Sequence, residues 1–176
     1  MTPPNVTRPD ELRDGLEPTA HRASKGNLRL LLVDDNREFV EQATQLLSAY
    51  QWIEIVGRAY SGLEALDEVT RLQPDLVLMD VAMPGMSGLE TTRKLKQQLS
   101  RPRIVMLTLH DIPVYRQEAQ AAGADGFISK PALNTELLRV IDNLFPLLMW
   151  ELTNQPRQDD QAGRRSTVQH RVGTIR

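Results

Sequence analysis

Between residues 28 and 145 the chain alternates two rhythms of apolar and polar positions. Short apolar runs occur at Leu28–Val33 (LRLLLV), Ile53–Val56 (IEIV), Leu76–Met79 (LVLM), Ile104–Leu107 (IVML) and Gly126–Ser129 (GFIS). After each run, apolar residues recur at helical spacing. Phe39, Val40, Ala43, Leu46, Leu47 and Tyr50 form one stripe within 36–50, and Leu63, Leu66, Val69 and Leu72 form the next. Leu89, Leu95 and Leu99 follow Gly88, and Val114, Ala119 and Ala122 precede Gly123. Leu137, Leu138, Ile141, Leu144 and Phe145 fall within a last helix over 134–145. The pattern predicts five strand–helix units, with strands starting every 22–28 residues. Runs that are apolar on both faces, separated by amphipathic helices, predict an α/β protein with a parallel sheet covered on both sides. Each crossover should be right-handed. In such sheets function gathers at the carboxyl ends of the strands, beside the point where strand order reverses.

The flanks lack this rhythm. Residues 1–27 hold Pro3, Pro4, Pro9 and Pro18 and few large apolar residues. They predict a flexible N-terminal tail, with at most a turn of helix near Glu11–Leu16. Residues 151–176 are rich in Gln, Arg, Asp and Thr. The expected organisation is a tail over 1–27, one folded domain over 28–147 and a second flexible tail over 148–176. The apolar stretch Leu144–Trp150 (LFPLLMW) is unusual for a helix end, and capping of the core is the expectation for it. Docking on a partner or a lost interdomain junction are the alternatives.

Composition narrows the class. The chain has 176 residues, which suits one domain. Its 21 basic and 23 acidic side chains give a net charge of −2. That balance argues against a generic nucleic-acid or membrane-surface binder. The tails are neutral or slightly basic, so the acidic excess falls in the middle. The absence of cysteine excludes a disulfide framework, a thiolate metal site and a Cys nucleophile. No run approaches the roughly 18 apolar residues of a membrane span, and the N-terminus has no apolar signal core. A soluble cytoplasmic protein without membrane contact is the expectation.

The polar residues at the predicted strand ends carry the chemistry. Strand 1 ends on Asp34-Asp35, strand 3 on Asp80, strand 4 on Thr108 and strand 5 on Lys130. With strand order 2-1-3-4-5 these five side chains converge on one cleft. Three crowded carboxylates repel one another, and a divalent cation would relieve them. All-oxygen donors point to Mg²⁺ or a similar hard ion. A carboxylate beside a metal and a lysine can attack a phosphoryl donor and form an aspartyl phosphate. Metal, lysine and a threonine hydroxyl then neutralise and hydrogen-bond the transferred oxygens. The scattered His21, His110 and His170 have no metal-ligand spacing.

The segments LLVDDN (31–36), LVLMDVAMPGMSGLE (76–90), IVMLTLHD (104–111) and GADGFISKP (123–131) resemble the receiver domains of two-component response regulators. In this order and spacing they cover the predicted domain. The resemblance implies a doubly wound, flavodoxin-like receiver fold of order 2-1-3-4-5. It implies that Asp80 is the phosphoacceptor. It gives Mg²⁺ the ligands Asp35, Asp80 and the Ala82 carbonyl, with Asp34 acting largely through water. Lys130 would pair with the phosphoryl group, Thr108 would turn toward it, and Phe127 would be the switch aromatic. Lys130-Pro131 would be a cis peptide bond. The implied donor is a histidine kinase or phosphotransfer protein. The implied output is a downstream protein or a homodimer on the face of helix 4, strand 5 and helix 5.

Two positions depart from the family pattern. Leu109 stands where a small residue usually follows the threonine, and it is expected to narrow access and slow phosphorylation or hydrolysis. Phe127 lacks the hydroxyl of the tyrosine also frequent there, so any switching would work by ring packing. A phosphohydrolase would carry a general-acid Asp at position 82, where Ala82 stands. The residues therefore suggest a switch with only its own phosphorylation and dephosphorylation chemistry. The motifs most resemble receivers of helix-turn-helix regulators, yet no such pattern follows residue 147. A single-domain receiver is the expectation. A transcription-factor receiver without its DNA-binding domain, or a phosphorylation-independent scaffold, is the alternative. Nucleic-acid contact by the arginine-bearing tail is not expected.

Overall fold

The computed structural model describes residues 27–98 and 102–154. Of the tails expected over 1–27 and 148–176, residues 1–26, with the turn near Glu11–Leu16, and 155–176 lie outside the described residues, whereas 148–154, expected as tail, are helical. Among the described residues, five strands and six α-helices follow in order: β1 (Leu28–Val33), α1 (Arg37–Leu47), β2 (Ile53–Ala59), α2 (Gly62–Leu72), β3 (Leu76–Asp80), α3 (Gly88–Lys96), β4 (Arg103–Thr108), α4 (Pro113–Ala121), β5 (Gly126–Ser129), α5 (Leu133–Leu144) and α6 (Pro146–Asn154). All strand pairs are parallel, in the order β2-β1-β3-β4-β5. The parallel sheet covered on both sides that the apolar runs predict is therefore observed, in the doubly wound order that the resemblance implies.

Strand alternation divides the core in two. Leu30, Leu32, Leu76, Leu78, Val105, Leu107 and Ile128 face one side, under Val40, Ala43 and Leu47 of α1 and Leu137 and Ile141 of α5. Leu31, Val33, Val77, Met79, Ile104 and Met106 face the other, under α2, α3 and Ala119 of α4. Strands β1, β3 and β4 are buried on both faces apart from the half-buried Arg29 and Arg103, which explains why each reads as a mainly apolar run.

The starts of α1, α2 and α3 carry side-chain caps. Asn36 Oδ1 accepts from Phe39 N at 3.1 Å, Ser61 Oγ from Glu64 N at 3.2 Å, and Ser87 Oγ from Glu90 N at 3.2 Å. Asn36 and Ser61 cap their helices within three residues of the ends of β1 and β2. Gly88, the first residue of α3, lies against β3: a Cβ there would fall 1.8 Å from the Asp80 carbonyl oxygen. Only a bare Cα lets α3 pack this close to the end of β3.

Strand β2 and the C-terminal end depart most from the sequence reading. Strand β2 continues three residues past Val56, through Gly57, Arg58 and Ala59. As an edge strand it is half exposed and tolerates polar residues, and a register shift opposite Leu30/Leu31 accommodates the extra length. At the other end, the boundary expected at 147 falls inside helix α6. Pro146 cannot continue α5 but suits the first turn of a new helix. Phe145 and Leu148 are buried against the α1–α5 face, Leu148 with only 3 % exposure. Leu147 and Trp150 stay 76 % and 65 % exposed. LFPLLMW thus caps the core with two residues and shows two others to solvent. Among the described residues, no helix is long and apolar enough to cross a membrane.

Candidate functional site

The carboxyl ends of β1, β3 and β4 are neighbours, and each ends on a buried polar residue: Asp34, Asp80 and Thr108. Lys130 follows β5 directly, and its side chain, 7 % exposed, reaches across β4 to both carboxylates. Its Nζ lies 2.6 Å from Asp34 Oδ2 and 2.8 Å from Asp80 Oδ1. The other carboxylate oxygens are held by backbone amides. Asp34 Oδ1 accepts from Asn36 N at 3.0 Å, and Asp80 Oδ2 accepts from Ala82 N at 2.8 Å. These two local turns fix both carboxylates before any ligand arrives.

The charges are strongly coupled. Burial pushes the Asp34 carboxyl above its ordinary value, with the Asp80 charge adding to it, while Lys130 and the Asn36 amide pull the other way. Burial also works against the Lys130 ammonium. The hydrogen bonds and charges of Asp34 and Asp80 outweigh it and hold that lysine above its ordinary value. Lys130 therefore stays charged through the physiological range.

The donor set suits a small hard cation. Carboxylate oxygens of Asp34, Asp35 and Asp80 lie within 4.8 Å of one another. Among the described residues, the buried Asp34 Oδ2 meets Lys130 Nζ and no further donor. Three carboxylates against one ammonium leave an excess of two negative charges, which one divalent ion balances. Asp35 is exposed, so an ion there would keep water ligands. Among the described residues, the Ala82 carbonyl accepts no hydrogen bond.

The remaining expected residues stand around this centre. Thr108 Oγ1 is engaged with its own loop, contacting His110 N and His110 O at 3.2 Å each. Phe127, on β5, is half-buried in the α2–α4 face, and the Arg116 guanidinium lies 4.7 Å from its ring centre. Arg116 in turn pairs with Asp111 of the β4–α4 loop. Leu109, expected to crowd the site, is 64 % exposed and projects to solvent in this state. The expected cis Lys130–Pro131 bond is not present, since no peptide bond among the described residues is cis. The chain instead enters a 3₁₀ turn over Lys130–Ala132 in the trans form, the isomer an X–Pro bond favours by about 0.5–1 kcal/mol.

One neighbour escaped the sequence reading. The Phe39 ring centre lies 4.6 Å from Lys130 Nζ. In the sequence Phe39 is one more apolar position of the α1 stripe, and nothing in that stripe signals contact with the end of β5.

Fold and site together define an α/β protein of the doubly wound class, with an acidic cluster and a buried lysine at its topological switch point. The sequence profile of the response regulator receiver domain matches residues 30–142. Over 118 residues the chain is 36 % identical to the response regulator GacA of Pseudomonas viridiflava, covering 67 % of this chain and 55 % of that one. It is 34 % identical over 118 residues to the response regulator UvrY of Escherichia coli strain K12, covering 67 % and 54 %. Among solved structures, the signal receiver domain of the response regulator NarL from Mycobacterium tuberculosis superposes with a TM-score of 0.62 at 28 % identity, covering 70 % of this chain and 97 % of that one. The chain belongs to the response regulator receiver domain family. It spans about half the length of the curated relatives it matches.

Proposed function

We propose that the chain is a phosphorylation-driven switch that accepts a phosphoryl group on Asp80 from a histidine kinase or phosphotransfer protein. The observation that carries this reading is the Asp80 carboxylate, buried at the switch point and clamped between Lys130 Nζ and the Ala82 amide. In the reaction an Asp80 oxygen forms a bond to phosphorus as the P–N bond of a phosphohistidine breaks. The released imidazole takes a proton from water.

Mg²⁺, held by Asp35, Asp80 and the Ala82 carbonyl with Asp34 behind them, would supply charge neutralisation to the transferred oxygens. The chain's own groups do the rest. The Ala82 amide orients the nucleophile, and Lys130 pairs with a phosphoryl oxygen. Thr108 gives up its His110 contacts and donates its hydroxyl to another oxygen. That movement draws on the β4–α4 loop, whose Asp111 holds Arg116 against Phe127. The loop and the ring then shift together, which biases the α4–β5–α5 face between two states. A downstream protein or a second copy would read that face, in the cytoplasm. No turnover of other substrates belongs to this reading.

The relatives GacA and UvrY extend well beyond the matched region, which supports a second reading in which this receiver serves a longer regulator. Intact-mass analysis after incubation with acetyl phosphate and Mg²⁺ tests the shared core of both. One added phosphoryl group on the native chain and none on Asp80→Asn is expected. Equal labelling of the two would remove Asp80 from the role.

A further inference from the structure

We propose that Phe39 is a positioning residue for Lys130, holding its ammonium at the phosphorylation site by the face of an aromatic ring. This rests on the reading of Asp80 as phosphoacceptor. Lys130 Nζ touches two carboxylates, at 2.6 and 2.8 Å, and the Phe39 ring at 4.6 Å from its centre. The carboxylates are partners whose charge changes during the reaction, because Asp80 becomes an ester and a cation competes for Asp34. The ring is the neutral partner of the three, and its attraction for an ammonium is the same before and after.

The contact is built into the start of α1. Asp34 Oδ1 accepts from Asn36 N, Asn36 Oδ1 accepts from Phe39 N, the Phe39 ring faces Lys130 Nζ, and Nζ returns to Asp34 Oδ2. These four contacts close a circuit from β1 through the first turn of α1 to the end of β5. The cap residue therefore fixes the ring, and the ring fixes the lysine. A lysine side chain has many rotamers and points to solvent unless it is held. With Phe39 in place, losing one carboxylate partner leaves Nζ aimed at the oxygens that a phosphoryl group brings to Asp80. This favours capture of the group, since the orientation is set beforehand.

Fluorinated phenylalanines at position 39 separate this role from packing, because they keep the ring's shape while draining its negative face. They are compared, in the full chain, with the native protein, Phe39→Tyr and Phe39→Leu. One readout needs no phosphodonor: the Lys130 ε-methylene proton shifts, which an aromatic face moves upfield. The other is the initial rate of acetyl phosphate labelling with saturating Mg²⁺. The native chain and Phe39→Tyr should show upfield-shifted ε-methylene protons and similar labelling rates. Labelling should slow stepwise with fluorination, reaching about tenfold for the most fluorinated ring and for Phe39→Leu, while the fluorinated chains melt at the native temperature. Unshifted ε-methylene protons in the native chain, or a labelling rate indifferent to fluorination, overturn the proposal. A native chain with the ring shift that takes no phosphoryl group overturns instead the receiver chemistry on which the role rests.

Discussion

Removing the Lys130 charge should cost the protein stability, and Mg²⁺ should restore most of it. In Lys130→Met the side chain keeps an apolar stem of nearly the same length and loses the ammonium. Asp34 and Asp80, both buried, are left facing each other without a cation. Breaking a buried pair by deleting one partner costs about 3–5 kcal/mol. Here each carboxylate keeps one amide hydrogen bond, at 3.0 and 2.8 Å, and the Asp35 side is open to water. Those features reduce the expected loss to about 2–3 kcal/mol. For a domain of this size that is a fall in Tm of about 8 °C. Urea and thermal unfolding in EDTA and in excess Mg²⁺ would measure it. The variant binds the ion without competition from an ammonium, so Mg²⁺ should stabilise it more than it stabilises the native chain. A variant as stable as native in EDTA, or one that Mg²⁺ stabilises no more than native, would show that Lys130 does not compensate these carboxylates.

Three further outcomes follow from named contacts. Asp125 accepts from Lys96, Arg103 and the Ile104 amide; burial raises its pKa, but those partners together hold it below the ordinary 3.8. Its stabilisation is therefore present above about pH 4 and lost as pH falls through the folded value. Asp125→Asn should cost about 1–2 kcal/mol at neutral pH and flatten the acid limb of a stability–pH curve. Gly88→Ala puts a Cβ 1.8 Å from the Asp80 carbonyl; a loss of about 1–3 kcal/mol and slower acetyl phosphate labelling are expected from chemical denaturation and intact mass. Leu148→Ala should cost about 2–5 kcal/mol in urea unfolding, whereas Leu147→Ala, on the solvent side of the same helix, should change stability by less than about 0.5 kcal/mol.

The central strands are legible because burial on both faces leaves few positions for polar residues, and those fall near the strand ends. β1 and β5 fall at the expected limits, and β3 and β4 extend past them by a residue or two. β2 was cut short because an edge strand carries polar residues, and Gly57 and Arg58 end the apolar run without ending the pairing. Helix α6 was hidden because a proline after Phe145 reads equally as a stop and as a start. At the site, strand-end residues announce themselves by position, so Asp34, Asp80 and Lys130 meet where the alternation places them, with Thr108 at the end of the neighbouring strand β4. The Phe39–Lys130 contact joins residues 91 positions apart on elements that the pattern alone does not bring together. Backbone detail, such as the trans Lys130–Pro131 bond and the Thr108 hydroxyl turned onto His110, depends on local packing that periodicity does not encode.

The most direct measurement is site-resolved. The chain is treated with acetyl phosphate and Mg²⁺, reduced with borohydride, which converts an aspartyl phosphate to homoserine, and sequenced as peptides by mass spectrometry. Homoserine at position 80 and at no other carboxylate is the expected result. Homoserine elsewhere, or an unmodified Asp80 in a chain that has bound Mg²⁺, would contradict the assignment of Asp80 as the group that receives the phosphoryl.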